Sequence, residues 1–266
     1  MNSMALKVAD DLLISPRREL GAYVAETRYE FMRSLRNPAF ALPMMLVPGG
    51  LYLLFAVFIA SEAIDKDPSL GIALFVGFAV MAVSMPALFG IGTSLALERD
   101  MGLMRLKRAQ PAPAGSWLVA KIVCGVAFSV MSFAPMLAIA IATGKLTLGY
   151  GQLFALSAAL LSGSIPFCAL GLMVGTLVSG SAAPGYANLI YLPGCYLSGL
   201  FFPMPKSMWW QMPIWPQFHI DQLAMHAAGA GAAKYQHVPA GSSIAVLVGF
   251  TTLFSAVAIW RLARKG

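Results

Sequence analysis

Long apolar runs come round six times along this chain, at roughly 39–61, 69–97, 117–142, 152–178, 184–203 and 242–261. That repetition constrains the fold more than any other feature. A hydrocarbon core of about 30 Å takes about 20 apolar residues in α-helix to cross, and each run reaches that length. Only 11% of the 266 residues are charged while 59% are hydrophobic, more apolar surface than a soluble core of this size can hide. The runs lack the short alternation of a barrel strand, and a helix satisfies its own backbone hydrogen bonds where water is absent. The expected fold is an all-α integral membrane protein with six transmembrane helices. Pro43, Pro48, Pro86, Pro135, Pro166 and Pro193 fall inside the runs and should kink them.

Charge sets the orientation. Of eighteen lysines and arginines, fourteen lie before the first run, between the second and third, or after the sixth; Lys66, Lys145, Lys206 and Lys234 make up the other side. Basic residues are retained on the cytoplasmic face, so both termini should be cytoplasmic. The net charge of +7 sits beside membrane spans, where anionic headgroups account for it and nucleic acid need not. The polar leader, residues 1–38, has no short apolar centre of its own and reads as uncleaved. Cys124, Cys168 and Cys195 fall within spans without CxxC spacing, so packing is expected of them, and neither a disulfide nor a metal site.

Three polar segments interrupt this pattern. From Arg17 to Arg36, Leu20, Tyr23, Val24, Thr27, Phe31 and Leu35 share one helical side and Glu26, Glu30 and Arg33 another. This predicts an interfacial amphipathic helix with its apolar stripe in lipid and its charged face in water. In the loop 98–121, Met101–Ala109 reads as a short amphipathic helix ended by Pro111 and Pro113, with Leu103 and Leu106 along one edge and Arg105 and Arg108 along another. Between the last two runs, over 201–223, Pro203, Pro205, Pro213 and Pro216 alternate with Trp209, Trp210 and Trp215. Proline breaks helix and tryptophan favours the interface, so a re-entrant outer hairpin is expected there. His219, His226 and His237 have no ligand spacing, and Asp221 is expected to hydrogen-bond within the hairpin.

Residue order in two of these segments resembles a known family. Glu98, Arg99, Gly102, Leu103, Arg105, Leu106, Pro111 and Lys121 are similar to the first cytoplasmic loop of ABC-2 type permeases, the membrane subunits of bacterial ABC exporters. Asn188, Pro193, Ser198, Gly199, Phe202 and Pro203 resemble that family's fifth span and its exit. Gln110 stands where serine is commoner before the proline. The resemblance implies a leader at 1–38 and a permease domain at 39–266, in the cytoplasmic (inner) membrane. The coupling residues would be Glu98, Arg99, Gly102, Leu103, Arg105, Leu106 and Arg108, docking an ABC ATPase. An outer gate would comprise Ser198, Gly199, Phe202, Pro203, Trp209, Trp210 and Asp221. It further implies two permease copies, a homodimer in preference to a heterodimer, above two ATPase subunits that hold the ATP and Mg. Export of an amphiphile such as a drug, a lipid or a lipid-linked glycan is the implied activity.

The residues argue against other classes. ATGKLT has Leu146 in place of a magnesium-binding hydroxyl and Ile139 in place of the first P-loop glycine, so no nucleotide site is expected in this chain. An ion-coupled secondary transporter would need acids or bases within the spans. An intramembrane serine hydrolase would use Ser164 or Ser198, yet the spans hold no histidine to serve as base. Gly171 and Gly175 form a GxxxG pair suited either to packing within one chain or to a dimer seam.

Overall fold

A computed structural model describes residues 16–109, 112–113, 115–202, 204–230 and 238–265. Its elements are all helical among the described residues: α1 (Pro16–Leu35), α2 (Pro38–Tyr52) continued by a π-helical segment (Leu53–Ile59), α3 (Ser61–Lys66), α4 (Pro68–Asp100), α5 (Leu103–Ala109) and α6 (Ser116–Ala142). There follow α7 (Tyr150–Ser162), α8 (Ser164–Leu177), α9 (Ala183–Leu197), a 3-10 helix (Lys206–Ile214), α10 (Pro216–Ala227) and α11 (Ala240–Lys265). Five stretches of the described residues are long and apolar enough to cross a membrane: Pro38–Ile59, Pro68–Asp100, Ser116–Ala142, Tyr150–Leu177 and Ala240–Arg264.

Helix α4 is the axis of the bundle, packed by α2, α6, α8, α9 and α10. Its most apolar window is 78% buried within the chain, against 22% for the α2 stretch and 17% for α11. The outer helices therefore keep their apolar faces turned away from the chain's own core. Small residues allow the closest packing. A Cβ on Gly175 would stand 2.8 Å from the Gly92 carbonyl oxygen, and one on Gly171 would stand 2.7 Å from that of Leu88. The GxxxG pair thus closes the α4–α8 seam inside one chain, where backbones meet without side chains between them.

Two expected spans are remodelled. The run at 152–178 breaks into α7 and α8 at Gly163, where a Cβ would lie 2.7 Å from Ile220 of α10. Pro166 sits in the first turn of α8, just past the break, where its missing N–H costs little. The run at 184–203 yields only fifteen helical residues, Ala183–Leu197, or about 22 Å of helix. Gly199 ends it at φ 77°, a left-handed conformation that glycine adopts without a Cβ penalty, and the helix cannot run on to residue 203. The segment expected as a hairpin over 201–223 holds the 3-10 helix and then α10, which runs on to Ala227 and is buried along most of its length. Between the first two spans lies the short helix α3, whose Asp65 accepts a hydrogen bond from Lys145 at 2.6 Å.

Candidate functional site

The charged leader, the loop and the ends of two spans converge at the basic end of the bundle. On α1, Glu26, Glu30 and Arg33 follow one another by four and three residues and so share a face. That face turns into the protein, correcting the expectation that it meets water. Leu20, Val24, Tyr29 and Leu35 are among the exposed residues, while Phe31 packs on Phe128 of α6 at 5.5 Å between ring centroids. The reason lies across the seam, where Lys107, Lys121 and Glu98 require partners of opposite charge.

Lys121, in the second turn of α6, is 1% exposed, and its Nζ lies 2.7 Å from Glu30 Oε1 and 2.9 Å from Glu98 Oε1. It also donates to Ser94 Oγ at 3.2 Å. Glu98, in the last turn of α4, is fully buried and is bonded by Arg33 as well. Lys107 of α5 lies 2.8 Å from Glu26 Oε1 and 3.6 Å from Glu98 Oε2, and Arg33 stands 3.7 Å from Glu30 Oε2. Three acids and three bases from four helices thus form a neutral network whose deep members are Lys121, Glu98 and Glu30. Neutrality is a requirement at such depth, since an unpaired ion there would cost several kcal/mol. Burial alone would lower the Lys107 pKa, yet the Glu26 hydrogen bond and the Glu98 charge raise it above the ordinary lysine value. Arg33 is likewise raised against its desolvation, by its hydrogen bond to Glu98 and the charges of Glu98 and Glu30.

Helix α5 sits on this network. Gly102, at φ 71°, makes the reversal from α4 into α5. Met104, 3% exposed, and Lys107 anchor the inner side of α5, while Leu106 is 61% exposed and Arg105 and Ala109 face outward with it. Leu103, on the same helix, is half-buried and so less open to a partner than Leu106. Arg99 donates to the Gly175 carbonyl at 2.9 Å, and Asp100 accepts from the Gly180 N–H at 2.7 Å, which ties the end of α4 to the turn between α8 and α9. The Arg108 side chain, Gln110 and Pro111 lie outside the described residues. Beside α5 a groove of about 460 Å³ is bounded by Glu26, Lys107, Pro113, Trp117, Ile259 and Leu262.

The expected gate residues that are described follow α9, lie on the 3-10 helix, or lie on α10. Ser198 is buried and donates to the Cys195 carbonyl, Phe202 stacks on Tyr196, and Pro203 lies outside the described residues. Trp209 donates to the Met204 carbonyl at 3.0 Å, Trp210 is 76% exposed, and Asp221 is buried on α10. Among the described residues of this set, Phe202 lines an apolar cavity of about 360 Å³, with Phe55, Phe78, Tyr191, Tyr196 and Phe201 among its walls. These aromatics had no sequence signal beyond their abundance, because they come from three separate helices and a turn. The Tyr191 hydroxyl lies 3.0 Å from Ser84 Oγ.

No group of three His, Cys, Asp or Glu side chains suited to a metal occurs among the described residues. His219 bonds the Pro213 carbonyl and Ser243, His226 bonds the Val238 carbonyl, and His237 lies outside the described residues. The three cysteines are buried thiols. Ser164 and Ser198 both give their protons to nearby backbone carbonyls.

The family model described as ABC-2 type transporter matches residues 22–220, from the first turns of α1 into α10 and across the whole ionic network. The "Putative transport permease YvfS" of Bacillus subtilis (strain 168) is 22% identical over 228 residues, which cover 85% of this chain and 90% of that protein. With several helices long and apolar enough to cross a membrane and a family match over most of its length, the chain belongs to the ABC-2 type transporter family of multi-pass membrane permeases.

Proposed function

We propose that this chain is the permease subunit of an ATP-driven exporter in the cytoplasmic membrane, working with a separate ABC ATPase that holds the ATP and Mg. The observation that carries this reading is the two-sidedness of α5. Its inner side is fixed by Met104 and Lys107, and its outer side presents Arg105 and Leu106. An exposed leucine beside an arginine on a rigid helix suits insertion into a partner's groove, the apolar side chain supplying docking energy and the charge orienting it.

A sixth crossing is supported by position along α4. Gly180 is bonded to Asp100, and the Leu200 carbonyl lies where a Cβ on Gly77 would meet it, so residues 180–200 follow α4 for about 35 Å. The chain then returns to the level of Gly194, where Trp215 and Gln217 approach, and α10 rises from Gly163 to Gln152, which bonds the Ala228 carbonyl. That path suits a re-entrant hairpin on the side away from α5. The exposed apolar faces of α2 and α9, with Leu42, Leu46, Tyr186 and Leu189, suit a second permease copy, and the aromatic cavity between these helices suits an amphiphilic cargo at that seam.

The test replaces Leu106→Asp together with Arg105→Glu and measures ATPase co-purification, after confirming that the variant inserts and elutes as a single species. Retention should fall by about ten-fold or more. Full retention would refute docking through α5.

A further inference from the structure

The Glu26–Lys107 pair and the buried triad behind it make a joint that reaches well beyond the base of the docking face. A loop whose only task is to bind a partner needs its outer residues and a stable base. Here the base extends in three directions. Lys107 of α5 reaches Glu26 of α1 at 2.8 Å and Glu98 of α4 at 3.6 Å; Glu98 reaches Lys121 of α6 at 2.9 Å, and Lys121 returns to Glu30 of α1 at 2.7 Å. Each of the four helices is therefore bonded to at least two others through side chains alone. Exposure is graded along the network: Lys121, Glu98 and Glu30 are shut away from solvent, while the side chains of Lys107 and Glu26 remain 17% and 23% exposed. The deep part is the more rigid, because a displaced ion there finds no water to replace its partner. The shallow pair lies at the rim, between α5 and everything else.

Resting on the reading that an ATPase docks on α5, we propose that Lys107 and Glu26 are positioning residues of the coupling step. They hold α5 to α1 so that a displacement of α5 is delivered to α1, α4 and α6 as one body. Lys107 is suited to this because, among the described side chains of α5, it reaches the network, from the side opposite Leu106. Met104, the other inner anchor, makes apolar contact, which resists separation but permits sliding. A charge-paired hydrogen bond fixes direction as well as distance. On this account the leader helix is part of the moving assembly and not merely an anchor in the headgroups.

The experiment uses the full chain with the ATPase that co-purifies with it, in liposomes, and Mg-ATP as the probe. The native cysteines are buried, so a polarity-sensitive thiol dye can be placed at Trp210→Cys, on the exposed ring position far from α5 in sequence and fold. In the otherwise unsubstituted chain, Mg-ATP should shift the dye's emission. With Lys107→Met or Glu26→Gln, ATPase co-purification and basal hydrolysis should persist, and the ATP-driven shift should fall by about ten-fold. Lys107→Arg, which keeps the charge and the reach, should restore it, and the double variant should be no worse than either single one. A full-sized shift in Lys107→Met would overturn the proposal, as would failure of Lys107→Arg to restore it. Loss of ATPase binding in Lys107→Met would also overturn it, by placing the pair in docking itself. Absence of any ATP-driven shift in the unsubstituted chain with ATPase bound would instead count against the reading that α5 transmits motion.

Discussion

Removing the positive charge of Lys121 tests the ionic network most severely. Lys121→Met keeps most of the side chain's volume, so little packing is lost. The Nζ contacts at 2.7 and 2.9 Å to Glu30 and Glu98 disappear together, and three acids are left facing two bases. Both carboxylates are shut away from water, so neither recovers hydration when its partner is gone. Breaking a buried pair in this way costs about 3–5 kcal/mol, a large part of the roughly 5–15 kcal/mol that separates folded from unfolded chains. At about 2–4 °C per kcal/mol for chains approaching this size, the unfolding temperature should fall by roughly 10 °C. The assay is thermal unfolding in detergent, followed by the loss of the monodisperse gel-filtration peak. Charge imbalance and lost contact are separated by Glu98→Gln with Lys121→Met, which restores neutrality and should recover part of the loss. If Lys121→Met unfolds within about 2 °C of the unsubstituted chain, or if the double variant is no better than the single one, the network is not a source of stability and the reasoning fails.

Gly175→Ala should destabilise by at least about 2 kcal/mol, because its Cβ would meet the Gly92 carbonyl oxygen at 2.8 Å and the Leu95 Cβ at 2.9 Å, whereas Gly185→Ala, with nothing within 4 Å, should be nearly neutral in the same melting assay. Cysteines introduced at Arg105 and Arg264 should resist an impermeant thiol reagent in intact cells while one at Asp67 reacts; the opposite pattern would invert the topology. The Lys107 bridge has a folded pKa above the ordinary lysine value, so its contribution is fully present below that ordinary value and is lost only as pH rises through the raised one. The stability gap between the unsubstituted chain and Lys107→Met should accordingly stay constant through the neutral range and close only in strong alkali.

The apolar runs made the helical membrane fold legible, since length and hydropathy are properties of consecutive residues and need no partner. The stripe Glu26, Glu30 and Arg33 was also legible as a single face of α1. Which way that face pointed was not, because an amphipathic helix at an interface can set its charged side toward water or toward a charged partner, and periodicity is identical in both cases. The positions of Lys107, Lys121 and Glu98 decided it. Met104 was hidden for a related reason: in a helix of only seven residues, apolar residues at 103, 104 and 106 left the inward direction open until the packing against the bundle was known.

The runs and the charge bias alone determined that the chain is a helical bundle crossing a membrane with its basic loops on one side, because each term is a sum over local segments. Tertiary structure alone decided that the GxxxG pair closes a seam within the chain, that the run at 184–203 stops at fifteen helical residues, and that Glu30 of the leader is buried against Lys121. Those outcomes depend on what stands opposite: a backbone oxygen at 2.8 Å, a left-handed glycine, an ammonium group in a dry seam. Residues far apart in the chain supply these partners, and the energy of a buried charge is set by its neighbours in space and not by its place in the sequence.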